Sequence, residues 1–195
     1  MKTATEFSPT TLLTAEELLR LDAQGVRGEL VRGVFCEVMS AGYRHGMIVV
    51  RLAGRLVDYA DERRCGTVVA SDTGILLERD PDTVREPDIA FTSADRLSPS
   101  AAPTGYSDVV PDLVVEVASP SDRPGELAER AEMWLGFGVR LLWVVHPDSM
   151  TVEVHSADAQ PAGVPLPETL TLDDELDGGS VLPGFSFPLR RLFSD

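Results

Sequence analysis

Pro111-Asp112-Leu113-Val114-Val115-Glu116-Val117-Ala118-Ser119-Pro120-Ser121-Asp122 is the stretch whose reading decides the fold. Four of the six residues from Leu113 to Ala118 are Leu or Val. That density marks a strand covered on both faces, which places it inside a sheet flanked by helices. One carboxylate interrupts the run. An ionised side chain there is costly unless it is paired or bound to a cation. Glu116 is therefore either a strand-end acid that meets water or an arginine, or a metal ligand or general base at the mouth of a sheet.

Downstream, the spacing predicts a helix from Glu126 to Phe137, ended by Gly138, and a strand from Arg140 to Val145. At about 100° per residue, Leu127, Ala131, Trp134 and Leu135 share one face of that helix, and Arg130 borders it about 60° from Leu127. Arg130 then either pairs with Glu126 one turn away or carries its charge to the Glu116 end of the sheet. Ser119 and Ser121 are read as shaping the turn and capping the helix. Thr151 to His155 alternates as a half-exposed antiparallel strand, Val181 to Phe185 reads as loop and short edge strand, and Leu189 to Phe193 forms a last turn.

Upstream, Thr14-Ala15-Glu16-Glu17 is a capping box that opens a short helix. Gly28 to Val38 reads as a β-hairpin around Arg32-Gly33, with Glu29 and Glu37 both assigned to its less buried face. Tyr43 to Glu62 places Ile48, Leu52, Leu56 and Tyr59 at helical spacing, with Arg44, Arg51 and Arg55 on the polar side. Strands are expected at Thr67–Val69 and Gly74–Leu77. Another runs out past Asp88, just after Pro87 restrains the chain. Residues 93–111, rich in Ser, Ala, Pro and Gly, are long enough for a lid or binding loop. The order of elements predicts an α/β (α+β) fold with a central mixed sheet flanked by helices and an N-terminal hairpin. It forms one domain over residues 1–195, with 1–12 a loose N-terminal segment.

The chain carries 17 basic and 32 acidic residues, a net charge of −15, which excludes a broad basic surface for gripping phosphates and leaves only local nucleic-acid contact. Apart from Lys2, every basic residue is arginine. No apolar run reaches the roughly 18 residues of a membrane span, and no basic-then-apolar leader opens the chain, so a cytoplasmic protein without a membrane partner is expected. Cys36 and Cys65 lack zinc-ligand spacing and read as buried free thiols. No dinucleotide fingerprint, P-loop or nucleophile elbow occurs, and His146 and His155 read as structural or exposed.

Asp88 and Glu116, both at strand ends, are the candidate pair for a hard divalent cation, with Glu29 as a third carboxylate. His45 opens the long helix beside Arg44 and is open between a structural and a functional role.

Five segments, in order, carry a resemblance. They are Gly28-Glu29-Leu30-Val31-Arg32-Gly33, Tyr43-Arg44-His45-Gly46, Glu86-Pro87-Asp88-Ile89-Ala90-Phe91, the Pro111–Asp122 stretch, and Phe137-Gly138-Val139 before Leu142-Trp143-Val144-Val145-His146-Pro147. From about Leu13 to Phe193 the chain resembles the Uma-two family of restriction-endonuclease-like proteins. The resemblance implies a PD-(D/E)XK nuclease fold and a magnesium or manganese site. Its acidic positions fall on Glu29, Asp88 and Glu116, and its histidine on His45. It also implies nucleic acid, DNA above all, as partner, and a homodimer where two strands are to be cut. The chain departs from the pattern at one point: the lysine of the wider nuclease group, absent from Ala118 and moved in this family to the following helix, is Arg130. Arginine keeps the charge and can grip a phosphate with two nitrogens, but it cannot lose a proton. The sequence thus supports a metal-dependent endonuclease using Asp88, Glu116, Glu29, Arg130 and His45. The alternative is a catalytically impaired module of the same fold that binds nucleic acid or a protein, and a third reading is an acidic assembly protein without metal affinity.

Overall fold

The computed structural model describes residues 12–120, 122–123, 125–157 and 167–194. Ser121, Lys2 and residues 1–11 of the N-terminal segment lie outside them. Helix α1 (Ala15–Asp22) starts with the predicted capping box, the Thr14 side chain accepting from the Glu17 amide while Glu17 reaches back. Strands β1 (Gly28–Val31) and β2 (Val34–Glu37) form the hairpin, turning on Arg32 and Gly33, both at positive φ as a tight two-residue turn requires. Helix α2 (Tyr43–Arg63) follows, then β3 (Gly66–Ala70), β4 (Ile75–Glu78), β5 (Thr83–Arg85) and β6 (Ile89–Ser93). After a 3₁₀ turn at Pro99–Ala101 come β7 (Leu113–Val117), α3 (Glu126–Gly136), β8 (Leu141–His146) and β9 (Thr151–Ser156). The chain closes with β10 (Glu168–Leu170), β11 (Glu175–Asp177), β12 (Ser186–Pro188) and the short helix α4 (Leu189–Leu192).

Six strands form the central mixed sheet in the order β10-β9-β8-β7-β6-β3. Only β7 and β8 run parallel, joined through α3 as a crossover must be; the remaining pairs are antiparallel. The hairpin belongs to a second, four-stranded sheet, β2-β1-β5-β4. The strand expected past Asp88 is β6, and the residues ahead of Pro87 form β5 in the other sheet, with the chain passing from one sheet to the other at Pro87 and Asp88.

Alternation along β7 divides the core. Leu113, Val115 and Val117 face α2 and the C-terminal elements, packing with Leu52, Leu56, Trp143 and Phe185. Val114 faces α3, with Leu142, Val144, Ala131 and Trp134. Each such side chain taken from water contributes about 1.5–3 kcal/mol, and this burial fixes the strand's register. Glu116 shares parity with Val114 and so points at α3.

Four expectations need correction. Glu29 and Glu37 do not share a face: the two-residue turn pairs Glu29 with Cys36 and Gly28 with Glu37, so residues 29 and 37 lie on opposite sides of the hairpin. Gly178 to Phe185 is loop, and the short strands flank it as β11 and β12. Ser119 does not cap α3, whose N-cap is Gly125 without a side-chain bond. The long loop before β7 is tied down in part, Ser107 accepting from the Leu76 amide and the Tyr106 ring lying against Gly74. Cys36 and Cys65 are free, as expected, but half-buried rather than buried, since Cys36 lies on the edge strand β2 and Cys65 in the turn between α2 and β3.

Candidate active site

The site forms where the two sheets meet, around the C-terminal end of β7. Ile89 pairs with Val115 across β6 and β7, and one further step of that antiparallel register sets Asp88 opposite Glu116. The contact is made: the Val117 amide donates to Asp88 Oδ2 at 2.7 Å. From the first turn of α2, His45 Nε2 reaches the same oxygen at 3.1 Å. Hydrogen bonding to Asp88 raises the His45 pKa above the ordinary value, burial opposing, with the charges of Asp88, Asp122 and Glu116 adding to the rise. The fold thus brings His45 against Asp88.

Glu116 is 2% exposed. Trp134 donates its indole N–H to Oε1 at 2.7 Å, and Arg130 Nη1 lies 3.5 Å from Oε2. Burial pushes this carboxyl up to about 7, Asp88 and Glu29 adding to the rise while Arg130 and the indole oppose it. Arg130 therefore takes the second of its two readings. Its other arm reaches Asp122 Oδ1 at 3.3 Å, and its Nε is buried with no partner among the described residues. Asp122 is held in turn by the Ser119 amide at 2.7 Å. The Ser-Pro turn thus serves to hold the arginine's second acceptor.

Glu29 is engaged elsewhere. It accepts from the Glu86 amide at 2.7 Å and pairs with Arg85 at 3.3 Å, both side chains nearly buried. It reaches Glu116 only through its charge. Glu86 shows the same perturbation as Glu116: burial first, then Glu29 and Asp72, raise it to about 7 against the pull of Arg27. His146 and His155 face Glu153 on β8 and β9.

The donor chemistry suits a hard divalent cation at Asp88 and Glu116. Glu29, Glu86, Asp88, Glu116 and Asp122 crowd around Arg85 and Arg130, an excess of negative charge in a half-buried place. No set of three His, Cys, Asp or Glu side chains able to hold a metal ion is gathered among the described residues. The fit is to a two-carboxylate site whose further ligands would be water or substrate oxygen.

Three contributors escape a reading of the sequence. Trp134 lies on the apolar stripe of α3 and reads as core; its signal is that a buried indole N–H needs an acceptor, and it follows Arg130 by one helical turn. Asp122 stands three residues after Ser119, a local turn signature. Arg85 gives no signal until β5 is paired with β1.

No helix among the described residues is long and apolar enough to cross a membrane. No curated protein matches the chain. Among solved structures, a chain titled "Crystal structure of a putative nuclease belonging to DUF820 from Anabaena variabilis ATCC 29413" superposes with a TM-score of 0.77 at 18% identity, covering 93% of this chain and 98% of that one. At that identity the likeness establishes the shared fold. A family model described as "Putative restriction endonuclease" matches residues 15–190, and the chain accordingly belongs to the Uma2 family of nuclease-like proteins.

Proposed function

We propose that this protein is a divalent-metal-dependent endonuclease that hydrolyses phosphodiester bonds in DNA, with Asp88 and Glu116 holding magnesium or manganese. The observation that carries this reading is the Asp88 carboxylate bound to the Val117 amide opposite the buried Glu116. When bound, the cation supplies Lewis-acid stabilisation of the phosphoryl oxygens and a more acidic water. The Val117 amide and His45 fix the orientation of Asp88, so the carboxylate needs little reorganisation to serve as a ligand. Trp134 does the same for Glu116. Hydrogen bonding to Asp88 raises the His45 pKa, which favours the imidazole as a donor beside that carboxylate. Arg130 stays charged throughout, so its role is to balance negative charge on the phosphate rather than to activate water. Glu29 assists from a distance by holding Arg85 and the Glu86 amide in place.

A second reading, a nuclease-fold module that binds nucleic acid or a protein without cutting, is favoured by one observation. Arg130 already faces two carboxylates, so it meets a phosphate only by loosening from one of them. Plasmid cleavage in manganese separates the two. Cleavage by the wild type that Asp88→Ala removes supports the enzyme. Salt-sensitive DNA binding without cleavage, or cleavage undiminished in Asp88→Ala, rejects it.

A further inference from the structure

Helix α2 is apolar on two opposite sides, and only one of them is used by this chain. His45, Ile48, Val49, Leu52, Leu56, Tyr59 and Ala60 are buried against the central sheet. Tyr43, Met47, Val50, Gly54, Val57 and Asp61 follow one another at spacings of four, three, four, three and four residues. At about 100° per residue all six fall within about 40° of one bearing, on the side of the helix away from the core. This is the spacing of a helix-pairing seam. It faces outward, Tyr43 being 92% and Val50 71% exposed. Among the described residues nothing outside the helix's own neighbouring turns lies within 4 Å of the place a Cβ would take at Gly54, so their packing does not call for glycine in the middle of a 21-residue helix. The glycine costs the helix about 1 kcal/mol relative to alanine.

We infer that a second copy of this chain pairs with the first, α2 against α2 and antiparallel about a two-fold axis beside Leu52. The seam is self-complementary in that register, as a symmetric interface demands. Val50 meets the partner's Gly54, a knob facing a residue without a side chain. Met47 meets the partner's Val57, and the Tyr43 hydroxyl meets the partner's Asp61, whose carboxylate can accept its proton. The three pairs share one register and arise twice over by symmetry. The Tyr43 ring also gains a receptacle, because a groove of about 260 Å³ lined by Val57, Ala60, Asp61, Gly66, Val68 and Pro99 opens beside the partner's Asp61. Val38 and Met39, 43% and 72% exposed on the loop just ahead of Tyr43, extend the apolar surface beyond the helix, towards the roughly 800 Å² per copy that a stable pair buries. The flank that carries Arg44, Arg51 and Arg55 stays outside the seam. The pairing fixes the two His45 residues roughly 20 Å apart along the helix axis, at a rise of about 1.5 Å per residue.

Light scattering on the full chain, run through size exclusion at low and high micromolar concentration without metal, tests this apart from any nuclease activity. The expected mass is twice 21.1 kDa for the wild type and 21.1 kDa for Val50→Glu, with circular dichroism unchanged because Val50 is solvent-facing in the single chain, and with a thermal midpoint that, unlike the wild type's, does not rise with protein concentration. The register is read by mixing Val50→Cys and Gly54→Cys variants, each in a chain whose Cys36 and Cys65 are serine. The mixture should form a disulfide-linked pair on mild oxidation, and neither variant alone should do so as fast. A monomeric wild type overturns the inference and assigns the seam to a different protein. A dimer unmoved by Val50→Glu, or cross-linking no faster in the mixture, overturns it in favour of another face.

Discussion

Two acids at the two ends of the same strand region, Asp112 and Glu116, are each 2% exposed, and they are treated in opposite ways. Asp112 is surrounded by donors: the Ser93 amide at 2.8 Å, Arg96 at 3.1 Å and Arg140 at 3.8 Å. Its own backbone carbonyl receives the amides that start β8. Glu116 has one indole N–H and a share of one arginine, with Asp88 and Glu29 repelling it. Equal burial thus yields a structural clamp at one end and an unsatisfied acid at the other. A protein that only needed stability would not keep the second, since an apolar residue would serve there as well or better. The deficit of positive charge at Glu116 is what a cation or a phosphate-bound metal would fill.

The sharpest way to break this contrast is at Glu116's neighbour. Asp88→Ala should lower plasmid cleavage in manganese by about 10³-fold, equivalent to about 4 kcal/mol of transition-state stabilisation, while costing only about 1 kcal/mol in urea unfolding, because the Val117 amide and His45 lose their acceptor but Glu116 loses a repelling charge. Asp112→Ala should do the reverse, costing about 3 kcal/mol in urea unfolding because the Ser93 amide loses its acceptor and Arg96 and Arg140 lose their anchor. Equal stability losses at the two positions would remove the distinction.

The pH dependence sharpens it further. Burial holds the Glu116 pKa near 7 in the folded protein against 4.5 in the open chain, so the folded state binds the extra proton between those values. That contribution is complete below about 4.5 and is lost as pH rises through about 7. In EDTA at pH 8, Glu116→Gln should therefore be more stable than the wild type, by about 2–3 kcal/mol, and the gap should close towards pH 4.5. A variant less stable than wild type at pH 8 would mean that Arg130 and Trp134 satisfy the carboxylate after all. The smallest expected effect is at the indole. Trp134→Phe should keep the fold and cost about 1 kcal/mol, while weakening manganese affinity, read by calorimetry, by about 10-fold through the looser Glu116.

Much of this contrast is legible in the sequence, because periodicity and turn chemistry are local. The run from Leu113 to Ala118 announces a buried strand and Glu116 as its anomaly. The capping box at Thr14, the long helix from Tyr43 and the border position of Arg130 on α3 follow from spacing alone. Parity in the hairpin does not: assigning Glu29 and Glu37 to one face fails because the Arg32-Gly33 turn, not the alternation within each strand, sets which residues pair.

Which acids meet which donors is settled by long-range pairing. Asp88 reaches the Val117 amide only because β6 lies antiparallel to β7 in the register that opposes Ile89 to Val115. Trp134 becomes a ligand of Glu116 only once α3 is laid on the Val114 and Val144 face. Glu29 turns to Arg85 because β5 pairs with β1. The sequence by itself determined the elements, the buried acid at the end of β7 and the arginine at its helix border, since each depends on neighbours a few residues away. Only the tertiary structure decided that Asp112 is satisfied and Glu116 is not, because the donors that make the difference come from strands and helices whose proximity no local pattern encodes.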